Sequence, residues 1–143
     1  MFNASYNKKK THSSYLGDMR KKELDFVSLH FRPDGILHLH YHSAKELTQM
    51  HAEKTFLECR EMMADITPVP LLVTGDPGLN TTSEFRKFNA TKEVLEHTTA
   101  VAAVIDSFAY VLLVNFFNQM HQPYRPVKMF RSKEKAIEWL LKK

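Results

Sequence analysis

The stretch that decides the fold is LDFVSLHFRPDGILHLHYH, residues 24–42. Its centre, Arg32-Pro33-Asp34-Gly35, is typical of a type I turn, because proline suits the second position and glycine accepts a positive φ. Alternating apolar residues flank this turn, as expected for strands that bury one face. With a bulge at Gly35, the pairs across the two strands are Val27 with Tyr41, Leu29 with Leu39, and Phe31 with Leu37. The segment therefore predicts an antiparallel β-hairpin with these six residues in the core.

The same register places polar side chains on the opposite face: Ser28, His30, His38, His40 and His42. His30 lies opposite His38, where Cβ atoms are about 5 Å apart. His30, His38 and His40 are thus candidate metal ligands, since two imidazoles can share an ion and a third can reach it. A solvated histidine face, or a contact that responds to pH near neutrality, explains the same pattern. Because no acidic residue or cysteine is aimed at the cluster, we predict no metal centre and no cofactor.

Downstream of the hairpin, predicted helices and strands alternate. Four-three spacing of apolar residues predicts a helix over 44–66. The elements that follow are a strand at 71–73, a helix capped by Thr81, a strand at 100–105, a helix at 108–121, a strand at 127–130 and a helix at 133–143. The order ββαβαβαβα indicates an α/β fold, with a mixed sheet packed with helices and parallel later strands.

Three segments carry a resemblance to a known family: FRPDGILHLHY (31–41), AAVIDS (102–107), and FF (116–117) with FRSKEKAIEWL (130–140). In this order they resemble the STAS superfamily, the domains of anti-sigma-factor antagonists, and more specifically an uncharacterised bacterial STAS-like family. The likeness covers about residues 23–142. It implies the STAS-like fold and a non-catalytic regulatory role in which the domain binds another protein.

The resemblance also implies where a switch would lie. In many members a partner kinase phosphorylates a serine in an Asp-x-Ser-Gly context, at the start of the helix after the third strand. The corresponding residues here are Asn80-Thr81-Thr82-Ser83, but Glu84 follows where glycine would be expected. Thr81, Thr82 and Ser83 are therefore a candidate phosphoswitch or partner surface. The alternative is simple capping, in which Thr81 is the N-cap and Glu84 completes a capping box.

Two acidic residues follow predicted strands, at the strand ends where ligands of open α/β sheets bind. Asp76, Asp106 and Ser107 therefore form a candidate ligand loop. A pair of carboxylates can do acid–base chemistry only with a pocket and a shifted pKa. Asp106 or Ser107 is more simply a helix cap and Asp76 a turn residue. We predict no catalytic residues and no enzyme activity.

Charge and composition exclude several further classes. Six of the 20 basic residues lie within residues 1–22, against one acid, so we predict a flexible basic tail at 1–22 and a STAS-like domain at 23–143. A basic tail on a nearly neutral body indicates no specific nucleic-acid binding. Cys59 is the only cysteine, and no secretory signal or transmembrane segment is recognisable. These features predict a cytoplasmic protein.

The 108–121 helix is apolar around nearly its whole circumference, more than one sheet face can cover. We predict a homodimer contact through Tyr110, Val114 and Phe117 on the side away from the sheet. The leading functional prediction is a regulatory module with a protein partner of unknown identity. The alternative is a small-ligand or lipid-binding domain that uses this helix. A pocket lined by the helix favours the ligand, and a flat surface around Thr82 favours the protein partner.

Overall fold

In the computed structural model, which describes residues 20–42 and 46–143, the hairpin forms with the predicted register. Strands β2 (Val27–Phe31) and β3 (Leu37–Tyr41) are antiparallel. Between them Gly35 has a φ of 90°, and its amide donates to the Arg32 carbonyl at 3.0 Å. All six apolar residues of the predicted core face are at most 5% exposed. The turn chemistry and the alternation together specify this part of the fold.

The remaining elements include four short ones that the predicted order lacks, namely the strands Lys21–Glu23, Glu46–Leu47 and Asn80–Thr81 and the helix Lys92–Leu95. The other strands are β1 (Lys21–Glu23), β4 (Glu46–Leu47), β5 (Val69–Gly75), β6 (Asn80–Thr81), β7 (Thr98–Val104) and β8 (Val127–Phe130). The helices are α1 (Gln49–Met63), α2 (Ser83–Asn89), α3 (Lys92–Leu95), α4 (Phe108–His121) and α5 (Lys133–Leu141). Among the described residues no helix is long and apolar enough to cross a bilayer.

Six of the strands form one mixed sheet in the order β1-β2-β3-β5-β7-β8. The first three strands are antiparallel, and β3, β5, β7 and β8 are mutually parallel. Strands β4 and β6 pair separately as a two-stranded parallel ladder. The fold is therefore α/β with a mixed sheet, as the alternating pattern predicts.

Helices cover the two faces of the sheet unequally. On one face, α1 packs Ala52, Cys59 and Met63 against the apolar residues of the hairpin. On the other face, α5 packs Ala136 and Leu140 against the middle of the sheet, around Leu72, Ala100 and Ala102. Helix α4 lies on the same face as α1 but at the opposite edge, over β8. The space between α1 and α4 is the region where a site can form.

Two predicted boundaries are wrong. Lys21 and Lys22 were assigned to the tail, but they lie in β1, which pairs with β2. Ion pairs hold this strand and the residue before it: Lys22 Nζ lies 2.8 Å from Glu58 Oε1 of α1, and Arg20 pairs at 3.1 Å with Asp65, which follows α1. The predicted flexible tail otherwise lies outside the described residues.

The second wrong boundary is the start of the first helix, predicted at residue 44. Glu46 and Leu47 belong to β4, and α1 begins only after Thr48. The Thr48 amide donates to His51 Nδ1 at 2.9 Å, which satisfies one of the free donors of the first turn. Residues 43–45, at the predicted start, lie outside the described residues.

Candidate functional site

An apolar groove of about 400 Å³ opens between α1, α2 and α4 on one face of the sheet. We call it the α4 groove. Its floor is formed by sheet residues, including Leu71, Val73, Val101, Ala103, Val127 and Met129. Helix α1 contributes Phe56, Cys59 and Met63 to one wall, and α4 contributes Tyr110, Val114 and Asn118 to the other. A volume of this size lies in the range of small-molecule sites, about 300–1,000 Å³.

The groove exists because α4 is held at the edge of the sheet by two asparagines. Asn115 Nδ2 donates to the Met129 carbonyl at 3.2 Å, and its Oδ1 accepts from the Met129 amide at 3.0 Å. Asn118 Nδ2 donates to the Val127 carbonyl at 2.8 Å. These bonds fix α4 beside β8, so it cannot slide over the middle strands. The floor between α1 and α4 is left open.

The groups in the groove that could act as nucleophiles are held in their protonated forms. Burial, assisted by the nearby Glu58 charge, raises the pKa of the Cys59 thiol to about 12. Burial likewise raises the pKa of the Tyr41 hydroxyl, partly offset by its hydrogen bond with Thr55. A thiol that stays protonated at neutral pH is a poor nucleophile. Cys59 therefore acts as core, as its place on the apolar stripe of α1 predicts.

Of the described residues that line the groove, Arg86 is the only charged one. It lies on α2, and its Nη1 donates to both the carbonyl and the Oγ1 of Thr81, at 2.7 Å each. Phe85, the residue before it, packs edge-on against Tyr41 with ring centroids 5.7 Å apart. Arg86 thus marks the end of the groove nearest β3. Sequence reasoning missed this residue, because no local pattern reveals which cavity an exposed helical arginine borders.

The candidate switch residues have three different roles. Thr82, and not Thr81 as predicted, is the N-cap of α2, and its Oγ1 accepts from the Phe85 amide at 3.1 Å. Thr81 is instead in β6, where pairing with Leu47 of β4 keeps it extended. Ser83 is the first helical residue and is exposed. Of the three hydroxyls, that of Thr81 contacts the guanidinium of Arg86, which lines the α4 groove.

The residues of the candidate ligand loop make separate contacts in the structure. Ser107 caps α4 by accepting from the Tyr110 amide at 3.2 Å, one of the two predicted caps. Asp76 contacts His40, with Oδ1 2.8 Å from Nε2. No hydrogen bond within the described chain joins Asp76 to the exposed Asp106.

The histidine face is present on the side of the sheet opposite the α4 groove. His30 pairs with His38 across the hairpin, as predicted. The Thr74 hydroxyl lies 2.7 Å from both His38 Nε2 and His40 Nδ1. Because His40 Nε2 faces the Asp76 carboxylate, one consistent assignment has His38 donating to Thr74 and Thr74 donating to His40. Across residues 20–42 and 46–143, no three potential ligands form a group able to hold a metal ion.

Burial, together with the electrostatic effect of nearby Lys133, His40, Arg32 and His30, lowers the pKa of His38 to about 4. Lys133 reaches this face from the start of α5. The imidazole of His38 is therefore neutral at physiological pH. It serves as a hydrogen-bonding group of the sheet face.

The candidate dimer contact is divided between two sides of α4. Tyr110 and Val114 line the groove, whereas the prediction places them away from the sheet. They lie one turn apart, in line with the groove-facing Asn118, so the helical repeat turns them towards the sheet. Phe117 is 51% exposed and stacks on His121 with centroids 5.8 Å apart. The outward side of α4 carries five large apolar residues that are each more than half exposed: Leu112, Leu113, Phe116, Phe117 and Met120.

Comparison with solved structures supports the architecture. An uncharacterised protein of the DUF3478 family from Shewanella loihica PV-4, described as having a SpoIIAA-like fold, matches with a TM-score of 0.57. The match covers 85% of this chain and 98% of the other at 17% identity. At that identity the likeness shows the fold alone, which is the STAS-like fold expected from the sequence.

Comparison by sequence gives a family but no activity. The search of curated proteins found no match. A family model described as Domain of unknown function (DUF7793) matches residues 29–143, from β2 to the end of the chain. The chain therefore belongs to the DUF7793 family and has a SpoIIAA-like, STAS-like fold.

Proposed function

We propose that the protein is a non-catalytic regulatory module that binds a small apolar molecule in the α4 groove. The observation that carries this proposal is the groove itself, which is lined by α4 and has an almost entirely apolar floor. Apolar surface gains about 25 cal/mol per Å² when it is removed from water. A ligand that covers this floor gains that free energy without any rearrangement of the sheet.

The chemistry of the lining supports binding over catalysis. A general acid or base needs a pKa near the working pH, and a nucleophile needs a partner that activates it. The Cys59 thiol and the Tyr41 hydroxyl have raised pKa values and stay neutral. We therefore propose that the bound molecule is held and released unchanged.

The proposal is tested with phenylnaphthylamine, an uncharged dye that fluoresces strongly in apolar surroundings. The wild-type chain is expected to enhance its emission in a saturable way. Val114→Trp fills the groove from the α4 wall and is expected to abolish the enhancement. Leu113→Trp is the matched control, because Leu113 is 52% exposed on the outward side of the same helix. Equal enhancement by both variants would show that the dye binds elsewhere and would refute the proposal.

A second candidate function, the binding of a protein partner, is favoured by the outward side of α4. Five exposed apolar residues on one helix form a surface of the kind that proteins usually cover with a partner. A cytoplasmic partner that docks there, or a second copy of this chain, would bury it. The two functions are compatible, because the groove and the outward side are different faces of α4. A pull-down with the wild-type chain and with Phe116→Lys tests it, and equal capture by both would exclude this surface.

A further inference from the structure

The guanidinium of Arg86 has unused hydrogen-bonding capacity. Arginine carries five N–H donors, and both bonds that Arg86 makes within the described residues come from Nη1, to Thr81. The donors on Nε and Nη2 have no partner in residues 20–42 and 46–143. No carboxylate of those residues forms an ion pair with Arg86 either.

The two bonds to Thr81 also orient the free edge of the guanidinium. With Nη1 directed at Thr81, the Nε and Nη2 donors remain as a side-on fork on a residue that lines the groove. Such a fork matches the two oxygens of a carboxylate in a bidentate pair. A phosphate also accepts from arginine, but the planar fork fits a planar carboxylate directly.

The shape of the groove limits what can be attached to that carboxylate. Arg86 lies at the β3 end, and the floor then crosses β5, β7 and β8, where the apolar Val127 and Met129 form it. Four neighbouring strands span about 14 Å, since adjacent strands lie about 4.8 Å apart. An extended medium-length alkyl chain fits this distance.

We propose that the ligand of the α4 groove is a single-chain fatty acid, with its carboxylate on the Nε–Nη2 edge of Arg86. Its alkyl chain crosses the floor of the sheet towards Val127 and Met129. This inference rests on the proposed function, because it names the ligand class of the same groove. Thr81 is the positioning residue that aims the guanidinium.

The test is calorimetric titration of the full chain with decanoate and with decanol, which differ only in the head group. The wild-type chain is expected to bind decanoate about tenfold more tightly, as one charge-assisted contact at a partly exposed site allows. Arg86→Gln is expected to bring the two affinities within about twofold of each other. Lys87→Gln, which removes a charge from the next residue of α2 outside the groove, is expected to behave as wild type.

Two further measurements keep the test decisive if Arg86→Gln loosens the start of α2. Arg86→Lys retains the charge but not the fork, so decanoate should bind more weakly than to wild type and more tightly than to Arg86→Gln. Thermal unfolding of each variant checks that the fold is intact.

The outcomes separate the two proposals. If decanol and decanoate bind the wild-type chain equally and Arg86→Gln changes neither, the fatty-acid inference is overturned while the groove remains a ligand site. Tighter binding of decyl phosphate than of decanoate overturns the choice of a carboxylate. If neither compound binds, and Val114→Trp changes only the molecular mass in light scattering, the groove is a contact between subunits and both proposals fail.

Discussion

The neutral, part-buried His38 makes the stability of the fold depend on pH. Its folded pKa is about 4, against 6.5 for an unperturbed histidine, with burial as the largest cause. Below pH 6.5 the unfolded chain takes up a proton at this position that the folded chain refuses. Stability is therefore full above about pH 7 and is lost as the pH falls from 6.5 towards 4.

The magnitude follows from the two pKa values. For a pKa that falls from 6.5 in the unfolded chain to about 4 in the folded chain, the linkage relation gives the change in stability. The free energy of unfolding decreases by about 2 kcal/mol between pH 7 and pH 5. His38 is only partly buried, so solvent screening reduces this to about 1 kcal/mol. His38→Gln keeps an amide that can hydrogen-bond with Thr74 but cannot titrate. Between pH 7 and pH 5, the free energy of unfolding of the variant should therefore decrease by about 1 kcal/mol less than that of the wild type.

The assay is urea unfolding of both proteins at pH 7 and pH 5, and the difference between their pH dependences reports on position 38. His121→Gln, at an exposed position at the end of α4, is the control for removing an imidazole. An NMR titration of the His38 ring gives its pKa directly. Equal pH dependence of wild type and His38→Gln, or a ring that titrates near pH 6.5, would refute the reasoning.

Three other predictions concern α2 and α4. Thr82→Ala should lower the free energy of unfolding by about 1 kcal/mol through loss of the N-cap, whereas Ser83→Ala should leave it nearly unchanged; equal effects in thermal unfolding would contradict this assignment. Asn115→Ala should lower the free energy of unfolding by about 1–2 kcal/mol, because the amide and carbonyl of Met129 lose their partner. It should also speed hydrogen exchange at the Met129 amide, and unchanged exchange would contradict this prediction. Light scattering at micromolar concentration should give about twice the 16.7 kDa mass of one chain, and Phe116→Lys should restore the monomer. A wild-type mass that stays at that of one chain would show that the outward side of α4 does not join two copies.

The sequence predicts the hairpin well because two independent signals agree there. Alternation assigns the faces, and the Pro33–Gly35 turn sets the register, so even the His30–His38 pair is correct. The short strand β1 carries no such signal, since Lys21 and Lys22 are typical of a solvated tail. It forms through pairing with β2 and ion pairs with α1, which are contacts distant in sequence. The cap of α2 was misplaced by one residue because Thr81 and Thr82 are chemically equivalent as caps.

The candidate site was only partly accessible from the sequence. The apolar circumference of the 108–121 helix indicates that it must meet more than one surface, and the α4 groove is one of them. Which side chains face the groove depends on the rotation of α4, and this is set by hydrogen bonds from Asn115 and Asn118 to β8. From the sequence those residues are only polar interruptions of an apolar helix. Arg86 reaches the groove through tertiary packing, so no sequence spacing reveals it.

The asparagine contacts of α4 have a consequence for how the sheet meets other chains. The outward amide and carbonyl of Met129 and the outward carbonyl of Val127 are the groups with which an incoming strand would pair, and side-chain amides already occupy them. Asn115 and Asn118 thus act as a substitute for a seventh strand and terminate the sheet at β8. Recruitment of a peptide by strand addition is directed to the other edge, where β1 offers three residues that begin with two lysines. Among the described strands, β1 is therefore the edge at which another chain could extend this sheet.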